Sequence, residues 1–261
     1  MAINEQLLKD ASEFLRVSRE ELIKKYEEAG KNYSGFVKWT YVSEKEWLNR
    51  NINQTDENDV AKFYQETWNY IPELVEAWTP DKYRLLQKTI EIIIENKHKK
   101  VVDYGAGIGE ASVLQAKNRL DATAVDLPGN TFNFAKWRFK KHGLNIKTID
   151  IIPSGFPLKV KYDVITCFEV IQHVLDPKAL IEHFYEHLNK GGLFIMTARF
   201  KGNYALALKE NEKYHNKFKE VVESKGFKQE QKIHMWGPQD ENGKYLEVYK
   251  KQNNSALIRK I

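Results

Sequence analysis

The stretch Val101-Val102-Asp103-Tyr104-Gly105-Ala106-Gly107-Ile108-Gly109-Glu110 decides the fold of this 261-residue chain. It contains an apolar strand, an acidic residue, three glycines at alternate positions and the start of a helix. Glycine permits positive φ and lets the backbone approach a ligand with no Cβ in between, and the first N–H groups of a helix have no partner within it. The pattern predicts a strand–loop–helix unit that binds a nucleotide-like ligand. Taken alone, it fits a dinucleotide-binding enzyme or a purely structural turn as well.

The chain after residue 99 alternates between strand and helix patterns, which predicts a parallel sheet covered on both faces. The expected strands are Lys100–Tyr104, Ala122–Asp126, Asn145–Ile149, Tyr162–Cys167 and Leu193–Ala198. The expected helices are Gly109–Asn118, Thr131–His142, Pro177–Asn189 and Asn211–Ser224. Two further strands, near Lys228–Trp236 and Lys244–Lys250, flank a segment rich in turn residues and predict an antiparallel hairpin. The predicted fold class is therefore α/β, a Rossmann-like sheet of seven strands that ends in a hairpin.

The first 98 residues predict a helical N-terminal extension, separate from an α/β domain at residues 99–252 and a tail at residues 253–261. Helices are expected at Glu5–Val17, Arg19–Glu28, Asn58–Trp68 and Asp81–Glu95, whereas Asn32–Thr55 has no clear pattern. Tyr64 and Trp68 lie four residues apart, on one face of their expected helix. The extension is either an ordinary packing layer or a lid that brings Tyr64 and Trp68 to an acceptor pocket.

The composition predicts a cytoplasmic globular protein. Its one cysteine, Cys167, excludes an internal disulfide and favours a reducing compartment. The N-terminus lacks the apolar core of a secretory signal, and no apolar stretch approaches the roughly 20 residues of a membrane span. The formal net charge of +5 is too small to indicate a nucleic-acid partner, although the pI of about 8.9 keeps that option open. The composition says nothing about the oligomeric state.

Three residues near the glycines discriminate between nucleotide ligands. Glu110 occupies the position where a dinucleotide fingerprint needs its third glycine. Asp103 places a carboxylate beside the ligand, which suits an amino group and a sulfonium but repels a pyrophosphate. Asp126 ends the second expected strand, where a carboxylate can accept hydrogen bonds from two ribose hydroxyls. A ribose and a positive charge without a pyrophosphate describe S-adenosylmethionine.

These residues resemble the class I S-adenosylmethionine-dependent methyltransferases, particularly the small-molecule branch typified by quinone biosynthesis. The resemblance covers roughly residues 99–250, and its motifs occur in the expected order. They are the loop Val101–Gly109, the strand end Val125-Asp126-Leu127, the pair Asp150-Ile151, the fourth-strand segment Tyr162–Val174 and the turn Leu188–Phe194. The resemblance implies transfer of a methyl group from S-adenosylmethionine to a small-molecule acceptor. The implied cofactor-binding residues are Asp103, Gly105, Ala106, Gly107, Gly109, Asp126, Leu127, Asp150, Ile151 and Phe168.

The candidate catalytic residues are Glu169 and His173, just after the fourth strand. They lie four residues apart, so on a helix they would share a face, and a hydroxyl acceptor benefits from a general base. The alternative for His173 is a packing role. Quinone-type relatives carry E-x-x-E-H here, and the resemblance implies that some bind a divalent metal with it. This chain has Gln172 in place of the second Glu, so no metal is predicted.

A second histidine motif, His183-Phe184-Tyr185-Glu186-His187, matches the H-x-x-E-H of inverted zinc peptidases. We expect it to be coincidental, because the apolar residues of its helix should pack inward and leave both histidines on another face. Other functions stay open. Methylation of RNA or protein is favoured by the pI of about 8.9 and by basic clusters such as residues 97–100 and 136–142. The others are a non-catalytic scaffold, which the intact glycines and carboxylates disfavour, and a nicotinamide-dependent enzyme, which Glu110 and the final hairpin disfavour.

Overall fold

The computed structural model describes residues 4–31, 38–152, 155–201, 205–239 and 244–252. The helices of this part are α1 (Glu5–Leu15), α2 (Arg19–Gly30), α3 (Thr40–Asn49), α4 (Glu57–Glu66), α5 (Tyr70–Ala77), α6 (Pro80–Glu95), α7 (Glu110–Lys117), α8 (Asn130–Lys141), α9 (Pro177–His187) and α10 (Phe218–Ser224). The strands are β1 (Lys100–Tyr104), β2 (Asp121–Asp126), β3 (Lys147–Asp150), β4 (Tyr162–Phe168), β5 (Leu188–Thr197), β6 (Phe227–Trp236) and β7 (Lys244–Lys251). None of these helices combines the length and the apolar character needed to cross a bilayer.

The seven strands form one sheet in the order β3-β2-β1-β4-β5-β7-β6. The first five strands are parallel, and β7 inserts antiparallel between β5 and β6. The predicted α/β sheet and its C-terminal hairpin are therefore confirmed. The chain order reverses beside β1, where Val102 pairs with Thr123 of β2 on one side and Ile165 of β4 on the other. Ligands of open α/β sheets bind at the carboxyl ends of the strands at such a switch point.

Both faces of the central strands β1, β4 and β5 are buried, which explains their continuous apolar runs. Side chains of successive strand residues point to opposite faces. Val101 accordingly packs in a cluster with the apolar face of α6, whereas Val102 packs with α9 and α10.

The N-terminal helices lie against the glycine loop. The carboxamide of Asn4 caps α1 by accepting the N–H of Leu7, and Ser18 caps α2 by accepting the N–H of Glu21. Apolar residues of α1, α2 and α5 share one cluster with Ile108 of the loop and with Phe134 of α8. The helix α6, by contrast, packs on the sheet itself. The domain boundary at residue 99 stays a prediction.

Several expected helices were wrong in extent, and those predicted to end at Val17 and Asn189 end two residues earlier, at Leu15 and His187. The predicted helix Asn211–Ser224 is a 3₁₀ turn at Lys209–Tyr214 followed by α10, and Asn216 between them has a φ of +59°. The predicted helix Asn58–Trp68 ends at Glu66, since Thr67 is extended. The sequence pattern also missed α5. The predicted tail at residues 253–261 lies outside the described residues.

Candidate active site

The glycine loop connects β1 to α7, and its three glycines all have left-handed backbone conformations. Their φ angles are +76° at Gly105, +56° at Gly107 and +83° at Gly109. A Cβ on Gly105 would lie 2.1 Å from Cγ2 of Val170. Glycine is therefore required at that position both by the backbone and by the close approach of the segment after β4.

Asp126, at the end of β2, holds the loop through its carboxylate. One oxygen accepts the N–H of Gly107 at 2.5 Å, and the other accepts the N–H of Leu127 at 2.7 Å. Burial raises the pKa of Asp126 to about 6, against the opposing effect of these two N–H groups. The backbone N–H groups of Gly105 and Ala106 both donate to the carbonyl of Val125, so the loop lies directly over the end of β2.

Asp103 lies beneath the loop, with only 2% of its surface exposed. Its carboxylate accepts hydrogen bonds of 2.9 Å from the hydroxyls of Ser112 and Thr166. Burial raises the pKa of Asp103 to about 6. These bonds tie β1 to β4 and α7, and a direct contact between Asp103 and the ligand stays a prediction.

The remaining predicted cofactor residues lie around the same edge of the sheet. Asp150 pairs with Asp126 in the β2–β3 register, is exposed, and forms a 2.5 Å ion pair with Lys136. Ile151 is half-buried and donates its N–H to the carbonyl of Asp126. Phe168, the last residue of β4, is half-buried on the α6 side of the sheet. The structure thus brings these predicted positions together, while their contacts with a ligand stay predictions.

Glu169 does not lie on a helix, so the expected helical face shared with His173 was wrong. Its φ is +56°, and only a single 3₁₀ turn follows, at Ile171–His173. Its carboxylate binds Nζ of Lys244 at 2.6 Å. Although burial alone would raise the pKa of Glu169, the charge and hydrogen bond of Lys244 lower it to about 2. A carboxylate with so low a pKa is a weak base near neutral pH.

His173 contacts Tyr64 of α4, in the N-terminal extension. Its Nδ1 lies 2.9 Å from the carbonyl oxygen of Leu206 and 3.0 Å from the hydroxyl of Tyr64. A carbonyl oxygen can only accept, so Nδ1 carries the proton and Nε2 is the unprotonated nitrogen. Burial lowers the pKa of His173, against the opposing effects of Leu206 and Glu169, so the ring is neutral at pH 7.

The structure separates the two predicted acceptor residues. Tyr64 is half-buried beside His173, and burial raises its pKa well above the usual range. Trp68 lies beyond the end of α4, is 54% exposed, and packs against the ring of Phe14. The expected helical face shared by Tyr64 and Trp68 was therefore wrong, because α4 ends between them.

With this geometry in place, comparison with known proteins identifies the family. A family model described as a methyltransferase domain matches residues 76–248. The chain belongs to the methyltransferase domain family. The predicted resemblance to class I S-adenosylmethionine-dependent methyltransferases is confirmed.

Curated relatives of this methyltransferase domain include two bacterial proteins named ubiquinone biosynthesis O-methyltransferase. The one from Coxiella burnetii is 32% identical over 150 residues, which cover 54% of this chain and 62% of the relative. The one from Idiomarina loihiensis is 32% identical over 132 residues, which cover 46% of this chain and 54% of the relative. The chain thus spans about three fifths or less of the length of these relatives.

Solved structures share the fold of this methyltransferase domain at low sequence identity. An S-adenosylmethionine-dependent methyltransferase from Clostridium acetobutylicum has a TM-score of 0.55 at 16% identity, covering 69% of this chain and 96% of its own. The magnesium protoporphyrin IX methyltransferase of Synechocystis, solved with S-adenosylhomocysteine, has a TM-score of 0.53 at 13% identity, covering 79% of this chain and 100% of its own. The predicted cofactor class is confirmed, because this family uses S-adenosylmethionine as its methyl donor.

The donor set at the loop fits that cofactor. Two carboxylates, Asp103 and Asp126, lie at the loop, and the charge of Asp103 contributes to the raised pKa of Asp126. A cationic sulfonium nucleoside relieves this repulsion between like charges, whereas a pyrophosphate would increase it. Asp126 also offers oxygen acceptors at the strand end where the ribose of a nucleotide binds.

A buried ion cluster contacts the loop at Ile108, and the sequence analysis missed it. The guanidinium of Arg138 binds Asp10 of α1 at 3.1 Å, Glu110 of α7, and the carbonyl oxygen of Ile108 at 2.6 Å. The hydroxyl of Tyr83 also donates to Glu110. The sequence had singled out Glu110, because it departs from the dinucleotide fingerprint. Its partners Arg138 and Tyr83 are distant along the chain, so no local pattern could indicate them.

The side chains of the second histidine motif lie close together in the structure. The expectation that both histidines face away from the packed side of their helix was wrong for His183, which is buried. Donor atoms of His183, Glu186 and His187 lie within 4.8 Å of one another. His183 is 6% exposed, and its Nε2 accepts the N–H of Leu158 at 3.2 Å. That bond assigns the proton of His183 to Nδ1, so neither nitrogen offers a lone pair to a metal in this arrangement.

Proposed function

We propose that this chain transfers the methyl group of S-adenosylmethionine to a hydroxyl oxygen of a small-molecule acceptor, with His173 as the general base. The observation that carries the proposal is the 2.9 Å contact between Nδ1 of His173 and the carbonyl oxygen of Leu206, which assigns the proton to Nδ1 and the lone pair to Nε2. The position of His173, just after β4 at the carboxyl edge of the sheet, and the O-methyltransferase names of the relatives support it.

The residues that would hold the cofactor are those of the glycine loop and the end of β2. Gly107 and Gly109 would let the backbone approach the amino-acid portion, and Asp126 would accept hydrogen bonds from the ribose. Leu127 and Ile151 would contact the two faces of the adenine, with Asp150 near its amino group. S-adenosylmethionine supplies an activated methyl carbon on a sulfonium.

The protein then mainly aligns the acceptor and removes its proton. Bound S-adenosylmethionine would give its methyl group to the hydroxyl oxygen of the acceptor and leave as S-adenosylhomocysteine. The hydroxyl proton would pass to Nε2 of His173. Glu169, held as a carboxylate by Lys244, would stabilise the imidazolium by its negative charge.

Replacement of His173 tests this assignment. We expect His173→Gln to lower kcat by roughly 100-fold to 10,000-fold, the usual contribution of a general base, while the Kd for S-adenosylhomocysteine stays unchanged. Tyr64→Phe, which keeps the ring and removes the hydroxyl beside Nδ1, should have a smaller effect. Catechol-type acceptors with labelled S-adenosylmethionine supply the assay. Undiminished kcat in His173→Gln would remove His173 from the chemistry.

We also propose that the protein acts in the reducing cytoplasm. Its one cysteine, Cys167, is fully buried in β4, and burial raises the pKa of its thiol well above the usual range. A thiol in that environment is protonated and unreactive, which suits a structural role in a compartment without disulfide formation.

A further inference from the structure

Two lysines and a glutamate lie near one another at the carboxyl edge of the sheet. Glu169 follows β4, and Lys244 begins β7, whose antiparallel direction places its first residue at the same edge. Lys82 lies in the first turn of α6, and the bond from the neighbouring Tyr83 to Glu110 shows that this turn also lies at the carboxyl edge.

The two lysines differ in their partners. The ammonium of Lys244 is bound to Glu169 at 2.6 Å, with 9% of the Lys244 side chain exposed. The ammonium of Lys82 lies 5.5 Å from the ring centroid of Trp78. Across the described ranges, no carboxylate forms an ion pair with Lys82. Glu73, whose charge also reaches Lys82, accepts a hydrogen bond from Thr40 instead.

Lys82 is therefore a partly buried cation that has no direct counter-ion among the residues that the structure describes. Its residue is half-buried, and burial lowers the pKa of its ammonium despite the favourable charge of Glu169. Removing a charge from water without a partner costs free energy. An incoming anion would recover that cost, whereas Lys244 already has its carboxylate.

Aromatic side chains surround the same region. Trp78 follows α5, Phe168 ends β4 and Trp236 ends β6, and all three are half-buried against the apolar cluster between α6 and the sheet. The rings of these residues provide flat apolar surface, and the ring of Trp78 carries the Lys82 ammonium on its face. An aromatic compound with one acidic substituent complements this combination.

We propose that Lys82, with Trp78 beside it, forms an acceptor subsite that binds the carboxylate of a hydroxylated aromatic acid. Lys244 holds Glu169 in its ionised form, so of these two lysines Lys82 is the one available to the acceptor. The subsite rests on the proposed function, because it specifies which small molecules would present a hydroxyl to His173.

The test compares two probes that differ only in the acidic group, 3,4-dihydroxybenzoate and 4-methylcatechol. Their binding to the full chain saturated with S-adenosylhomocysteine is measured by calorimetry, which requires no turnover. We expect the acid to bind roughly tenfold to a hundredfold more tightly, as for a charge-assisted hydrogen bond. Lys82→Met should abolish this preference, and Lys82→Arg should keep it. The control is Lys88→Met, on the same helix, where Lys88 is paired with Glu91.

Equal binding of both probes to the unaltered protein would overturn the subsite, as would a preference that survives in Lys82→Met. Lys82→Gln replaces Lys82→Met if the latter does not fold. Methyl transfer is then measured separately with both probes. A Lys82-dependent preference without any transfer would support the subsite and refute the proposed function. Methyl transfer to both probes that is unchanged by substitution of Lys82 would support the proposed function and refute the subsite.

Discussion

Arg138→Met should destabilise the fold strongly, because it removes the one guanidinium from a buried cluster of charges. The side chains of Arg138, Asp10 and Glu110 are 4%, 0% and 6% exposed. Removing one partner of a buried ion pair costs about 3–5 kcal/mol, since the other charge stays buried and unpaired. Asp10 keeps its bonds to Lys141 and His142, so the loss falls mainly on Glu110. We therefore expect a decrease of about 3 kcal/mol in the free energy of unfolding.

The measurement is urea denaturation of the variant beside a matched control, Arg84→Met. Arg84 is on α6, 64% exposed, and pairs with Asp81. Exposed pairs contribute about 0–1 kcal/mol, so this control should change stability little. Adding Glu110→Gln to Arg138→Met should recover part of the loss, because the carboxylate left without its guanidinium becomes neutral. The affinity for S-adenosylhomocysteine should also fall, because the carbonyl of Ile108 in the glycine loop loses its donor. Equal effects of the Arg138 and Arg84 variants on stability would refute the reasoning.

Three further predictions concern the loop and the segment after β4. Asp126→Ala should weaken S-adenosylhomocysteine binding by about 1–3 kcal/mol in a calorimetric titration, since a charged hydrogen-bond acceptor is lost. The control is Asp121→Ala, at the other end of β2, and an unchanged Kd for Asp126→Ala would exclude the ribose contact. Gly105→Ala should lower the free energy of unfolding by more than about 1–2 kcal/mol, the cost of a left-handed alanine, because its Cβ would also clash with Val170. Adding Val170→Ala should restore only the part of the stability lost to the clash, and full recovery would contradict the backbone argument. The pKa of Glu169 is about 2 in the folded state and 4.5 ordinarily, so its contribution to stability is present above pH 4.5 and is lost as the pH falls toward 2. Glu169→Gln should therefore flatten the dependence of the unfolding free energy on pH in this range, and an unaltered slope would exclude Glu169 as its source.

Deleting the first part of the N-terminal extension would be a poor test of the predicted lid. Removing residues 1–78 would uncover Ile108 and Phe134, which share a cluster with α1, α2 and α5, and would remove Asp10 from the ion cluster. Loss of transfer would then follow from a damaged glycine loop as readily as from a lost acceptor pocket. The lid hypothesis stays a prediction, and point variants such as Tyr64→Phe examine it without this ambiguity.

The strands, the glycine loop and the carboxylates at the strand ends could be predicted because each leaves a local pattern. Apolar runs of a few residues bounded by turn residues predicted β1, β2 and β4 to within one residue at either end. The alternate glycines indicated left-handed backbone, and three left-handed glycines were found. Patterns of neighbouring residues do not specify an end set by tertiary contacts, which is why α4 was predicted to include Trp68 and why β5 begins at Leu188 rather than Leu193.

By itself, the sequence determined the α/β class, the position of the glycine loop and the family, because these depend on periodicity and on residue types at short spacings. Only the tertiary structure decided which partner each polar group has. It placed Lys244 on Glu169, the carbonyl of Leu206 on His173, and Arg138 between carboxylates far away along the chain. Such pairings set the protonation states of the site, and they depend on distances that no local spacing encodes.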